Sequence, residues 1–266
     1  MSALLETFDL TVSYGGLHAN SNVNIKVEKG KLTGLIGPNG AGKTTFIDAI
    51  TGFTAISSGR AEFRGNDMVA LSPAERARTG LVRTFQSLEL FEDLTVWDNL
   101  IVMAERTKWW SFLADVIKPL RKVGVEEDAE WALDLLGLTE MKDRLTLDLS
   151  HGQRKLVSVA RGLAARPELL LLDEPAAGLD SVESQKLGSH LRDILTKDIT
   201  LFLIDHDMGL VLSVCDYIYV LDFGKIIAEG TPDEIRKNPE VIKAYLGETA
   251  GEIQAQEAEM HKQGGH

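Results

Sequence analysis

The sequence is almost without cysteine. Cys215 stands alone among 266 residues, so no disulfide can form within the chain, which fits a reducing compartment. No apolar stretch approaches the ~20 residues that a membrane-spanning helix needs. Met1 to Asp9 lacks the basic start and following apolar run of an export signal. Internal repeats are not evident. Positive charge is also scarce: 28 Lys and Arg stand against 40 Asp and Glu, a formal net charge of -12 with a pI near 5.0. A chain this acidic gains nothing from a nucleic-acid backbone or an anionic bilayer, which removes both as default partners and predicts no direct membrane insertion. Local basic loops remain able to hold phosphates. If the protein works at a membrane, another chain must do the spanning.

What is present is ordinary for a globular protein, with 44% hydrophobic and 26% charged residues. The length suffices for one large domain or two small ones with a buried core. The N-terminal third reads as short strands, Leu4 to Ser13 and Ser21 to Val27, divided by Gly15-Gly16 and Gly30, followed by Lys31 to Ile36. Thr44 to Phe53 has helical spacing. From about Pro73 to Leu147 the pattern turns helical, clearest at Val96 to Glu105 and at Glu127 to Leu136, with Gly137 placed to stop the latter. Trp109-Trp110-Ser111-Phe112 within this stretch reads as core packing, with a protein contact patch as the alternative. Leu169 to Leu172 and Thr200 to Ile204 are unbroken apolar runs, as expected of strands buried on both faces of a parallel sheet. Tyr217 to Asp222 and Lys225 to Glu229 predict a hairpin around Phe223-Gly224. Residues 248–266 are polar and rich in Gly, Gln and Glu, the composition of a disordered tail. The fold class expected is α/β, with an N-terminal antiparallel β subdomain and a helical subdomain inserted at about residues 88–160.

Gly37-Pro38-Asn39-Gly40-Ala41-Gly42-Lys43-Thr44 matches the phosphate-binding loop of P-loop NTPases, with Thr45 continuing into the helix. A strand before it and a helix after it are both expected, which is the context the motif requires. Glycines let backbone N–H groups turn inward onto phosphate oxygens, and the helix start adds its positive end. Lys43 would reach the terminal phosphates of ATP, and the Thr44 hydroxyl would ligate Mg²⁺. Asp173, ending a buried apolar strand, fits the carboxylate on the Mg²⁺ side. Glu174 follows directly and suits the general base for an attacking water. The plain alternative is that Asp173 and Glu174 only open a loop before Pro175.

Leu149-Ser150-His151-Gly152-Gln153, placed ahead of that strand, resembles the signature motif of ABC ATPases, usually Leu-Ser-Gly-Gly-Gln. Other family marks stand in order: Tyr14 as the adenine-stacking aromatic, Gln86 as the Q-loop glutamine, Ala177-Gly178-Leu179-Asp180 as the D-loop, and His206 as the switch histidine. Taken singly, Tyr14 could be a strand aromatic, Gln86 a loop polar residue and His206 a structural histidine. The resemblance spans residues 4–247 and implies a single ABC ATPase domain. It implies a head-to-tail dimer with a second ATPase subunit, a copy or a homologue. Each ATP would then lie between one P-loop and the facing subunit's Ser150, His151, Gly152 and Gln153. It further implies that Glu174, His206 and Gln86 serve hydrolysis, that Gln86 contacts Mg²⁺ or the water, and that Asp180 acts across the dimer. His151 departs from the common glycine; its imidazole is expected beside the phosphate or in solvent.

Arg83-Thr84-Phe85-Gln86, Ala176 to Asp180, Asp205 to Met208 and Gly230-Thr231-Pro232 through Gly247 most resemble the ATP-binding subunits of branched-chain amino acid importers. Relatives for urea, amides and lipopolysaccharide export share much of this pattern, and a soluble ABC ATPase is a more distant alternative. The importer resemblance implies transmembrane permease subunits, a solute-binding protein acting indirectly, and a cytoplasmic chain peripheral on the inner face of the membrane.

Overall fold

The computed structural model describes residues 3–84, 90–104 and 124–245. Gln86, the Trp109 to Phe112 cluster and the tail at 248–266 lie outside the described residues. In chain order the strands are β1 (Ala3–Tyr14), β2 (Leu17–Val23), β3 (Lys26–Glu28), β4 (Leu32–Ile36), β5 (Ser58–Phe63), β6 (Asn66–Asp67), β7 (Leu81–Thr84), β8 (Leu169–Asp173), β9 (Thr200–Ile204), β10 (Tyr217–Asp222) and β11 (Lys225–Gly230). The α-helices are α1 (Lys43–Thr51), α2 (Pro73–Arg78), α3 (Val96–Ala104), α4 (Val125–Leu135), α5 (His151–Ala164), α6 (Ser181–Leu195), α7 (Met208–Val214) and α8 (Pro232–Lys237). The chain divides into two compact units, Met1–Ser72 with Val211–His266, and Pro73–Leu210.

In the first unit β1 is the hub. It pairs antiparallel with β2 across the Gly15-Gly16 turn, and also with β3 and β5; β5 continues to β6. This is the antiparallel subdomain expected from the sequence. The single strand expected over Ser21 to Val27 is instead two. Asn22 adopts φ 50, and the Asn24 amide accepts from the Asp9 N–H at 2.8 Å and donates to the Asp9 carboxylate at 3.1 Å. Side chains thus replace the ladder where β2 gives way to β3. β4 runs parallel to β10, and β10 turns back antiparallel into β11. Phe223 and Gly224 both take positive φ, 42 and 75, as a two-residue hairpin turn of matching twist demands. β4 is wholly buried. A side chain at Gly34 would meet the sulfur of buried Cys215 at 2.9 Å, so the only thiol fills space against a bare backbone.

In the second unit β8 lies between β7 and β9, parallel to both. Every residue of β8 and β9 is buried, which explains their unbroken apolar sequences. β7 corrects the expectation of helix running on from Pro73. Four residues are too few to reveal a period, and Leu81, Val82 and Thr84 are buried here as strand residues. Helices α3, α4 and α5 pack on one another. α4 stops at Gly137 as expected, with φ 66 there and the Leu138 N–H returning to the Leu133 carbonyl at 2.9 Å.

Candidate active site

The loop from Gly37 to Gly42 joins β4 to α1. Gly42 caps the helix with φ 103. A Cβ at this position would stand 2.5 Å from the Ala19 carbonyl and 2.8 Å from the Asn20 amide, so both backbone angle and space demand glycine. Lys43 is 7% exposed, and its Nζ donates to the Gly37 carbonyl at 2.6 Å and the Pro38 carbonyl at 3.0 Å. The ammonium therefore sits inside the turn. Thr44 and Thr45 follow on the first turn of α1, with Thr44 exposed. The far end of the chain braces this loop: the Gly224 N–H donates to the Ala41 carbonyl at 2.8 Å, and the Ser21 N–H to the Gly224 carbonyl at 2.8 Å. Backbone N–H groups at a helix start, with a lysine inside the curve, fit a polyphosphate. Tyr14 ends β1 with 55% of its surface exposed and its hydroxyl 3.4 Å from the Thr54 hydroxyl. Among the described residues no group of three or more His, Cys, Asp or Glu could hold a metal by itself.

The second unit carries the acidic chemistry. Asp173 ends β8, and its carboxylate accepts from Arg83 of β7 at 2.7 Å; the two side chains are 4% and 8% exposed. Glu174 then takes φ 46. For a residue other than glycine that conformation costs about 1–2 kcal/mol, so the surroundings must hold it. Its N–H donates to the Ile204 carbonyl at 2.7 Å. Its carbonyl accepts from the Ala177 N–H at 3.2 Å and from Lys155 Nζ at 3.2 Å. His206 Nδ1 lies 3.6 Å from a Glu174 carboxylate oxygen and 3.7 Å from Asp205. The histidine expected to serve Glu174 is thus beside it, at the end of β9.

Asp205 and Lys155 are roles that sequence reasoning missed. Asp205 is fully buried, and its carboxylate accepts from the backbone N–H groups of Ala176 at 3.1 Å, His206 at 2.8 Å and Asp207 at 3.0 Å. One side chain so fixes the two loops that carry Glu174 and His206. Its position directly after an apolar strand was the available signal. Lys155 of α5 is 6% exposed. Burial pulls its ammonium below the usual lysine range, opposed by the negative charges of Asp205, Glu174 and Asp173.

The signature segment forms the start of α5. Ser150 caps it: its hydroxyl accepts from the Gln153 N–H at 3.2 Å, and its own N–H donates to the Gln153 side chain at 3.0 Å. This reciprocal box leaves the helix start ordered and Ser150 exposed. Gly152 packs on Glu183, where a Cβ would meet a carboxylate oxygen at 2.5 Å. Asp180 caps α6, accepting from the N–H groups of Val182 and Glu183 at 2.8 Å each. His151 is exposed to solvent, one of its two expected positions. Its Nε2 is nonetheless tied to the Ala177 carbonyl at 3.1 Å. A carbonyl only accepts, so Nε2 carries the proton.

Comparison with known proteins gives the family and the fold. Residues 20–177 match the sequence profile of the ABC transporter family, and residues 225–251 match that of the branched-chain amino acid ATP-binding cassette transporter. The chain is 42% identical over 250 residues to the high-affinity branched-chain amino acid transport ATP-binding protein BraF of Pseudomonas aeruginosa, covering 92% of this chain and 98% of that protein. It is 38% identical to LivG of Escherichia coli, of the same description, again covering 92% and 98%. Among solved structures, the ADP conformation of an ATP-binding cassette of an ABC transporter superposes with a TM-score of 0.83 at 33% identity, covering 93% of this chain and 100% of that one. A nucleotide-free cassette gives 0.81 at 33% identity, covering 92% and 99%. The α/β P-loop fold with its antiparallel and helical parts is that of an ABC ATPase cassette, and the chain belongs to the ABC transporter family.

Proposed function

We propose that this chain binds and hydrolyses Mg-ATP as the energy-supplying subunit of an importer for branched-chain amino acids or a related small polar solute. The observation that carries hydrolysis is the held, left-handed Glu174 with His206 Nδ1 3.6 Å from its carboxylate. A carboxylate held at the end of a buried strand beside a histidine suits the general base for an attacking water. The similarity to BraF and LivG supports the cargo class.

In this reading the loop Gly37 to Thr45 holds the phosphates, Lys43 neutralises their charge, and Tyr14 offers its exposed ring to adenine. The Thr44 hydroxyl and the Asp173 carboxylate serve Mg²⁺, together with Gln86. Mg²⁺ supplies charge neutralisation of the transferred phosphoryl group. Glu174 accepts a proton from the attacking water, and His206 holds it in line. Ser150, His151, Gly152 and Gln153 present the start of α5 to the nucleotide of a second, facing ATPase subunit, with Asp180 acting across that interface. One cassette occupies residues 4–247. No helix among the described residues is long and apolar enough to cross a membrane. Coupling to transport therefore runs through permease subunits, with the chain on the cytoplasmic face and a solute-binding protein acting through them. The test is purification of the tagged chain with its membrane partners, reconstitution, and a screen of solutes for stimulated ATP turnover. Stimulation by leucine, isoleucine or valine is expected. Stimulation by urea or short amides alone would move the cargo assignment, and no membrane partner at all would overturn the transporter reading.

A further inference from the structure

Two side chains of α5 reach the loop that carries Glu174. His151 Nε2 donates to the Ala177 carbonyl at 3.1 Å, and Lys155 Nζ donates to the Glu174 carbonyl at 3.2 Å. They are four residues apart and so share one face of the helix. Their targets are the two ends of the short turn that the Ala177 N–H closes onto the Glu174 carbonyl at 3.2 Å. The fit is specific at both ends. Gly178, φ 78, has no side chain, and a Cβ there would stand 2.9 Å from His151 Nε2. Lys155 is buried, and the carbonyl it holds belongs to a residue at φ 46 that relaxes to an ordinary conformation unless restrained.

We infer that His151 and Lys155 form a two-point clamp by which α5 sets the position of the catalytic glutamate in the same chain. Both are positioning residues; neither touches the reacting atoms. A helix moves as a rigid rod, so a ligand drawn onto the exposed start of α5 shifts both bonds together and with them the backbone at Glu174. Occupancy of one ATP site is thereby passed to the base of the other. The histidine at position 151 is a working part of this chain and not a neutral departure from glycine: it adds the second anchor. The inference rests on Glu174 being the base and on the start of α5 meeting nucleotide.

The test uses the full-length chain in its assembled transporter. Lys155→Met keeps the stem and removes the donor; Lys155→Arg restores a donor. His151→Phe keeps the ring's bulk, and His151→Gln restores an amide N–H at similar reach. Lys155→Met is expected to lower kcat about 10- to 100-fold, the scale of a misplaced catalytic group, with KM and nucleotide affinity within about twofold of wild type. His151→Phe is expected to lower kcat about 3- to 10-fold, and the Arg and Gln variants to recover most of each loss. The double variant should lose less than the product of the two, since both act on one turn. Wild-type kcat in Lys155→Met overturns the clamp, as does a loss that follows the thermal midpoint and is not rescued. Should Lys155→Met not fold, exposed His151 decides: equal kcat in the Phe and Gln variants overturns the clamp, and Gln above Phe supports it. Glu174→Gln is run alongside. An inactive Glu174→Gln with a fully active Lys155→Met sinks the clamp alone, whereas an active Glu174→Gln sinks the assignment of the base and the clamp with it.

Discussion

The phosphate loop and the loop after β8 solve the same problem, a sharply turned backbone, by opposite means. The first is made of glycine and of its own lysine. Gly42 supplies the left-handed turn at no steric cost, and Lys43 folds back onto the carbonyls of Gly37 and Pro38. The second places a glutamate where glycine would be easy. It then holds that glutamate from two other elements: from the end of β9, where Ile204 takes its N–H and Asp205 holds the neighbouring Ala176 N–H, and from α5 through Lys155. A binding site needs backbone donors in a fixed curve, and any side chain there would be in the way. The hydrolytic role proposed for the second needs a carboxylate at one point, and there the strain is offset by neighbours. The two regions should therefore fail differently: the first by losing affinity, the second by losing rate.

The largest effect should come from Glu174→Gln. Turnover is expected to fall about 1000-fold, as for loss of a general base, while nucleotide affinity stays within a few-fold and an ATP-bound dimer accumulates. Size exclusion in Mg-ATP beside a phosphate-release assay reads both, and turnover near wild type would erase the contrast. Next is Arg83→Met, which strips the buried Asp173 carboxylate of its partner. Denaturant unfolding should show a loss of about 3 kcal/mol, because an uncompensated buried charge costs more than the pair contributes. A loss under about 1 kcal/mol would mean that Asp173 is supported by other contacts. Lys43→Ala should raise the dissociation constant for ATP roughly 30-fold, the worth of a charge-assisted contact of about 2 kcal/mol, and calorimetry without turnover isolates it. Unchanged affinity would break the assignment of the first region to binding.

The smallest effect tests whether the first unit has a titration of its own, away from the chemistry. Burial pushes the Tyr219 phenol up to about 12 from an ordinary 10.0, with the Lys26 N–H, donating to the phenol oxygen at 3.0 Å, opposing the rise and the Glu229 carboxylate adding to it. The neutral phenol is the form the fold favours. Its contribution is therefore complete below the unfolded value and drains away as pH climbs from there toward the folded value. Wild type should lose about 1 kcal/mol relative to Tyr219→Phe between about pH 9 and pH 11. Parallel pH curves for the two proteins would remove Tyr219 as the cause.

The cradle and its flanking elements were legible because their physics is local. Glycine spacing, an apolar strand before and a helical period after are all written within ~20 residues. β8, β9 and the β10–β11 hairpin were legible for the same reason. β7 was not, since four residues carry no period and its meaning comes from β8, with which Leu81 pairs at Leu169. The bond from Arg83 to Asp173 spans 90 positions. Nothing near Arg83 announces it. Lys155 sits in a helix where lysine is unremarkable, and only the fold turns it onto Glu174. His151 could be seen to depart from the motif, but its partner Ala177, 26 positions on, could not.

The brace under the phosphate loop carries a consequence for how the chain is made. The Gly224 N–H that holds the Ala41 carbonyl belongs to the β10–β11 turn, synthesised long after the loop it supports. At roughly 5–20 residues per second, the ribosome needs on the order of ten to forty seconds to span that gap. Through that interval the loop is present as a sequence and incomplete as a structure. Nascent chains released before Gly224 therefore lack this brace under the nucleotide cradle, however well their own strands have formed.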